Sequence, residues 1–334
     1  MGASAASAPV RWGVVGTGDV SRGLAADITE AIGAHPHAVA SRNATRAADF
    51  ARDLGFERSY GGLDALLQDP EVDIVYIGTP HGTHHDIAIQ ALRAGKHVLV
   101  EKPIALNRAQ AEHIAAVAAE EGRFAMEAMW MKFSPLFRRV MDDVDAGTIG
   151  EPRSVRASFG VPFPTDTGSR WSAELGGSTL LDQGIYPITF AMALFGSPTE
   201  VLARGTTRPD GVDLAVHVTL EFEDGRYAQL SASMVDFCEL SATVNGAQGW
   251  LTVLPPFWAG SRYRTHAASI GPGLLDGVET AVEIVGNGFT PMIEHVNRAI
   301  LAGQRQSDIH PLSDTLAVFE VLDEVRSQLP LHGR

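Results

Sequence analysis

The chain has a single cysteine, Cys238, in 334 residues. One thiol cannot build an intramolecular disulfide framework, and its scarcity fits a reducing compartment, so a cytoplasmic location is expected. Cys238 itself reads as a small buried strand residue. Positive charge is also short: Lys+Arg number 26 against 40 Asp+Glu, a formal net charge of −14. That deficit argues against a nucleic-acid partner or an anionic membrane surface, while a local basic pocket for a phosphate stays open. No apolar run reaches the roughly 18 residues of a membrane span. Residues 1–9 lack the basic start and apolar core of a secretory signal and read as a frayed tail. Nothing repeats at a solenoid period and no segment is low complexity.

What is present is ordinary globular composition, 45% hydrophobic, in a chain long enough for two domains. Short apolar runs at 10–15, 37–41, 73–77 and 97–100 read as buried strands, and helical spacing follows at 20–31, 44–54, 88–94 and 109–121. Strands alternating with helices at this spacing mean βαβ units and a doubly wound parallel sheet. The rhythm changes near residue 130. A helix is expected at 131–145, a strand at 154–160 and one long helix at 177–195. Strand-like runs follow at 200–206, 214–221, 227–234, 240–245 and 249–254, with Asp224-Gly225 as a hairpin turn, and helices at 292–301 and 312–329 close the chain. The expected division is 8–130, binding a dinucleotide, and 131–334, an α/β domain with an open, mostly antiparallel sheet for substrate binding and oligomerisation. Edge strands and an apolar sheet face need cover, so a homodimer or higher homo-oligomer is expected.

Gly16-Thr17-Gly18-Asp19-Val20-Ser21 follows the first strand and opens a helix. Gly16 allows the tight turn, Gly18 lets backbone approach a pyrophosphate at the helix N-terminus, and Ser21 stands where a third small residue is expected. The end of the second strand should read the adenosine ribose. Ser41-Arg42-Asn43 stands there, with no carboxylate between Glu30 and Asp49. An arginine in that place accommodates the 2′-phosphate of NADP, so NADP is favoured and NAD stays possible. Thr79-Pro80-His81-Gly82-Thr83-His84-His85 follows the third strand and should face the cofactor; without grouped carboxylate or cysteine ligands, its histidines do not suggest a metal.

Glu101-Lys102-Pro103 sets a lysine at the carboxyl edge of the sheet, where ligands of such folds bind. Oxidising an alcohol by hydride transfer releases a proton, so a general base is needed. Asp182 and Tyr186, four apart, share one helical face. A tyrosine, with an ordinary pKa near ~10, becomes a base when an adjacent ammonium favours the phenolate. Lys102 could be that ammonium, and Asp182 could accept from a second substrate hydroxyl.

With these motifs, and with Met126-Glu127-Ala128-Met129-Trp130 and the run from Gly176 to Tyr186, the chain resembles the Gfo/Idh/MocA oxidoreductases from Gly13 to Val325. Within them it is most similar to the dimeric dihydrodiol dehydrogenases and NADP-dependent D-xylose dehydrogenases. The resemblance implies a Rossmann domain followed by an α/β domain with an open, mostly antiparallel sheet. It implies Lys102 as catalytic lysine, Tyr186 as acid/base and a cis bond before Pro103. It also implies cofactor contacts from Gly16 to Val20, Ser41, Arg42, Thr79, Pro80, His81, His84, Glu101 and Lys102. Trp130 either stacks on a substrate face or packs at a domain interface. Met131-Lys132-Phe133, Ser178 and Met292 depart from the subgroup pattern and bear on substrate identity. The function expected is hydride transfer between NADP and a sugar or cyclic diol. The alternatives are a ketoreductase of a nucleotide-linked sugar and a cofactor-binding sensor without turnover.

Overall fold

The computed structural model describes residues 8–164, 168–267 and 276–330. The chain forms two compact units, neither continuous in sequence. One comprises the residues up to 105 with 109–133 and 285–315; the other comprises 106–108, 134–284 and 316 onward.

In the first unit six strands form one sheet: β1 (Val10–Val15), β2 (Ala34–Ala40), β3 (Arg58–Tyr60), β4 (Ile74–Ile77), β5 (His97–Glu101) and β6 (Ala125–Ala128). Every pairing is parallel, in the order β3-β2-β1-β4-β5-β6. Chain order reverses between β1 and β4, the switch point where nucleotides bind in open α/β sheets. The connecting helices are α1 (Asp19–Glu30), α2 (Ala44–Leu54), α3 (Leu63–Leu67), α4 (His84–Arg93) and α5 (Arg108–Glu120). β4, buried at all four residues, is apolar throughout because helices flank a parallel sheet on both faces.

The second unit opens with α6 (Pro135–Asp145), whose N-cap Ser134 accepts from the Phe137 N–H at 3.1 Å. It continues through β7 (Pro152–Gly160) and α7 (Ile185–Phe195). Then come β8 (Glu200–Thr207), β9 (Asp213–Glu221), β10 (Tyr227–Ser233), β11 (Ala242–Gly246), β12 (Gly249–Val253), β13 (Arg262–Ala267) and β14 (Val278–Ala281). These eight strands order as β14-β13-β12-β11-β7-β10-β9-β8. All pairs are antiparallel except β7 with β10. The β9–β10 hairpin turns at Asp224 (φ 60°) and Gly225 (φ 71°), the left-handed pair a tight hairpin requires.

The helix expected at 177–195 runs from 179 to 195, with a π turn at Leu180–Gly184 leading directly into α7. Two expectations are corrected. The sheet face expected to be apolar carries a concavity lined by Arg156, His217, Thr219, Gln229 and Ser231 among others, because strand alternation sends the apolar residues to the opposite side. Cys238 is half-buried in a loop rather than in a strand, its N–H bonded to the Gly160 carbonyl.

The chain closes with α8 (Thr290–Leu301) and α9 (Leu312–Gln328). Within the first unit α8 is fastened by Asp27 of α1, whose buried carboxylate accepts from the N–H groups of Asn287, Phe289 and Thr290. Trp12 of β1 donates its indole N–H to Asn297 of α8 at 2.9 Å. No helix among the described residues is long and apolar enough to cross a membrane.

Candidate active site

In the first unit the glycine-rich turn separates two jobs. Gly16 has φ +101°, and a Cβ there would lie 2.5 Å from the Gly78 carbonyl, so the backbone itself demands glycine. Gly18 is different. It is the extended N-cap of α1, takes no side-chain cap, and a Cβ on it would meet nothing within 4 Å. Its bareness serves no protein contact and leaves open the approach to the first turn of α1. That is the shape a pyrophosphate needs, so the cradle fits a dinucleotide. Thr17 is half-buried, and Asp19 and Val20 are exposed on the helix's first turn. Ser21 is small because it must be: its Oγ donates to the Gly78 carbonyl at 3.1 Å and ties α1 to the end of β4.

At the end of β2, Ser41 Oγ accepts from the Asn43 N–H at 3.3 Å, and Asn43 caps α2 through the Arg46 N–H at 3.0 Å. Arg42 is exposed and makes no ion pair among the described residues. Arg46, one turn later, is also exposed and was not singled out by the sequence reading.

Beyond β4, Thr79 and Thr83 share a hydroxyl hydrogen bond of 2.7 Å, and Pro80 and His81 are half-buried. His84 was expected to touch cofactor. It is fully buried, with Nδ1 2.8 Å from the Pro103 carbonyl and Nε2 2.7 Å from the Thr79 carbonyl. Both nitrogens face backbone carbonyls, and burial holds the pKa below the ordinary imidazole value, so the neutral ring donates to one carbonyl at a time. His85 turns away to Asp86 and His113.

Glu101 ends β5 and accepts from Tyr76 Oη at 2.9 Å. Lys102 follows it, buried, with a cis bond to Pro103. The other lysines of the chain serve elsewhere: Lys96 donates to the carbonyls of Asp69 and Val72, and Lys132 pairs with Asp314 at 2.8 Å. The Gly16 turn, the Thr79 loop and Lys102 thus stand at the carboxyl ends of three adjacent strands, β1, β4 and β5. Trp130 follows β6, its ring 5.1 Å from Phe289.

The second unit carries Asp182 and Tyr186. Asp182 lies in the π turn, a device frequent at functional sites, and Tyr186 in the first turn of α7. The π turn is fixed from below: the Leu180 N–H donates to Asp213 at 2.6 Å and the Leu181 N–H to Ser178 at 3.0 Å. Burial raises the Asp213 pKa above the ordinary carboxylate value. Sequence reasoning missed Arg170, whose Nε donates to Asp182 Oδ2 at 2.5 Å while its guanidinium lies 4.2 Å from the Phe163 ring centroid. It also missed an aromatic wall: Phe159 and Trp258 stack at 3.5 Å, and the Tyr186 ring is 5.9 Å and 6.0 Å from them. Nothing periodic in the sequence marks residues 99 apart as stacked.

Residues 10–129 match the oxidoreductase family with an NAD-binding Rossmann fold, Gfo/Idh/MocA, and residues 137–252 match the Gfo/Idh/MocA C-terminal domain. The chain is 30% identical to trans-1,2-dihydrobenzene-1,2-diol dehydrogenase of Xenopus laevis, covering 96% of this chain and 98% of that protein. Among solved structures it is similar to a 3-ketoreductase from Actinomadura kijaniata in complex with NADP and TDP-benzene. The identity is 32% and the TM-score 0.85, over 96% of this chain and 98% of that one. Variants of that ketoreductase, with a tyrosine changed to phenylalanine or a lysine changed to alanine or glutamate, match as well. An aldose-aldose oxidoreductase from Caulobacter crescentus, complexed with glycerol, matches at 25% identity and TM-score 0.85, over 96% and 97% of the two chains. With both of its units matched and its relatives aligned over nearly their full length, the chain belongs to the Gfo/Idh/MocA family of oxidoreductases.

Proposed function

We propose that this chain is an NADP-dependent dehydrogenase or reductase acting on a secondary alcohol, or the corresponding carbonyl, of a cyclic diol or sugar. Its first part, ending near residue 130, binds the cofactor, and the rest binds the substrate. The observation that carries the reading is the pairing of an open glycine cradle with a buried lysine on adjacent strand ends of one sheet. The residues from Gly16 to Val20 receive the pyrophosphate, and Ser41 and Arg42 the ribose 2′-phosphate. Thr79, Pro80, His81 and Lys102 border the nicotinamide half, with Glu101 behind them. Bound nicotinamide supplies a two-electron hydride acceptor or donor.

In the oxidative direction Tyr186 Oη takes the proton of the substrate hydroxyl as its carbon gives up hydride and the C=O bond forms. Lys102 Nζ favours the phenolate and donates to the reacting oxygen, whose charge grows in the transition state. Asp182, oriented by Arg170, accepts from a second hydroxyl. Phe159, Trp258 and Trp130 offer faces for an apolar ring or a sugar. The aligned dihydrodiol dehydrogenases support a cyclic diol first. The 3-ketoreductase relative supports, as second reading, a ketone of a nucleotide-linked sugar.

We further propose a cytoplasmic homodimer or higher homo-oligomer, with the polar concave face around Arg156 and His217 meeting a second copy. A monomer by light scattering at micromolar concentration would overturn the assembly. The functional reading is tested by assaying NADP and NAD with trans-1,2-dihydrobenzene-1,2-diol, D-xylose, other aldoses and nucleotide-linked 3-ketosugars. Turnover of a diol or sugar is expected; no redox turnover of any of these classes would overturn it.

A further inference from the structure

The peptide that joins Pro103 to Ile104 is held at both of its polar ends. Its carbonyl, on Pro103, lies 2.8 Å from Nδ1 of His84. Its N–H, on Ile104, donates to Oε1 of Glu127 at 3.0 Å. His84 and Ile104 are 0% exposed and Glu127 is 1% exposed. The grips come from different elements: His84 from the first turn of α4, Glu127 from the middle of β6. His84 Nε2 also lies 2.7 Å from the Thr79 carbonyl; a neutral ring carries one N–H, and the grip on Pro103 uses the tautomer in which Nδ1 donates.

Glu127 is itself anchored. Its second oxygen meets His310 Nε2 at 3.1 Å and Thr315 Oγ1 at 3.3 Å. His310 Nδ1 lies 3.4 Å from Lys132 Nζ, which pairs with Asp314 at 2.8 Å. A buried carboxylate and its partners are expensive to desolvate, and apolar residues of the same volume often stabilise a fold as well or better. A charged network that ends on one backbone N–H is therefore weak evidence for stabilisation alone. That N–H lies two residues after Lys102. A lysine carries its ammonium on a long flexible stem, so the direction in which the stem leaves the backbone must be set by the turn.

We propose that His84 and Glu127 are positioning residues that clamp the Pro103–Ile104 peptide and thereby aim Lys102. This rests on the reading of Lys102 as the catalytic lysine. A displacement of about 1 Å at a reacting group can cost on the order of 10²-fold in rate, which is the scale at stake.

The test is a mutant cycle on the full chain. Glu127→Leu and His84→Leu remove one grip each at similar volume, Glu127→Gln keeps an acceptor for the Ile104 N–H, and Lys102→Met removes the aimed group. Turnover is followed with NADP and trans-1,2-dihydrobenzene-1,2-diol, and NADP affinity by fluorescence. Because the lysines are only Lys96, Lys102 and Lys132, ¹⁵N-lysine labelling reads the Lys102 amide directly without substrate. Lys102→Met assigns that signal, and Lys96 serves as control.

The expected result is a fall in kcat of about 10- to 100-fold in each Leu variant, with NADP affinity within about threefold. Glu127→Gln should turn over near the parent rate. In the Lys102→Met background either Leu change should cost little more, since residues acting through one another are not additive. The Lys102 amide should broaden or split in both Leu variants while Lys96 stays sharp. An unchanged Lys102 amide, or losses that simply add to that of Lys102→Met, would overturn the clamp. If one Leu variant fails to fold, the other carries the same measurement. Normal turnover of Lys102→Met would instead sink the catalytic reading, while the amide signal would still report on the clamp.

Discussion

Arg170 Nε donates to Asp182 Oδ2 at 2.5 Å, so the carboxylate expected to meet substrate already holds a guanidinium. The pair restrains the Asp182 carboxylate through Oδ2. Asp182→Asn should raise substrate KM about tenfold or more, in line with the ~1.5–3 kcal/mol of a hydrogen bond to a charged group, with kcat changed less. Arg170→Met should raise KM in the same direction. Michaelis constants for both variants check this; an unchanged KM in Asp182→Asn would count against a substrate role.

The two glycines of the cradle should fail differently. Gly16→Ala forces a side chain into a left-handed backbone and against the Gly78 carbonyl. It should destabilise the protein by about 1–2 kcal/mol or more, read as a lowered Tm. Gly18→Ala meets no protein atom, so its stability cost should stay below about 1 kcal/mol. Its NADP Kd should nevertheless rise about tenfold or more, because the methyl stands where the pyrophosphate approaches. Equal NADP affinity in Gly18→Ala would contradict the cradle.

Cofactor choice turns on Arg42, exposed at the end of β2 without an ion-pair partner among the described residues. Arg42→Ala should lower kcat/KM for NADP by roughly 10- to 100-fold and leave that for NAD nearly unchanged. Paired kinetics with both cofactors decide it. A parent enzyme that prefers NAD would contradict the assignment.

His97 predicts an acid limb of stability. Burial first, and then the charge of Arg123, lower its pKa to about 4. Its Nδ1 accepts from the Phe124 N–H at 2.8 Å, a bond that only the unprotonated nitrogen can make. The folded pKa lies below the unfolded value, so this contribution is complete above about pH 6.5. It declines as pH falls toward 4 and by linkage amounts to about 2–3 kcal/mol at most. His97→Gln keeps an acceptor for Phe124 and does not titrate. Its Tm should therefore fall less between pH 7 and pH 4 than the parent's; the same slope in both would contradict the attribution.

Much of the Rossmann unit was legible because its signals are local. The β1 run and Gly16 adjoin in sequence, and the boundaries 44–54 expected for α2 are those found. Asp224-Gly225 announced its hairpin by chemistry alone. The missed strands are short or polar. β3 is Arg-Ser-Tyr, and β13 and β14 carry arginine, histidine and glutamate on the edge side of their sheet. The return of residues 285–315 to the first unit rests on Asp27, whose partners lie some 260 residues away. The π turn left no mark that periodicity reads, since Leu180-Leu181-Asp182-Gln183-Gly184 sits inside a run of helical backbone. Arg170 and Trp258 were missed for the same reason as Asp27: their roles come from pairing across loops, which no periodicity records.

The central claim is that Tyr186 exchanges the proton while Lys102 supports the reacting oxygen. Its most direct measurement is turnover of Tyr186→Phe, followed by reduced-nicotinamide absorbance beside a separate determination of NADP affinity. The account predicts a fall in kcat of about 10²–10⁴ with NADP affinity essentially unchanged. Near-parental turnover in Tyr186→Phe would contradict it and move the proton to another residue.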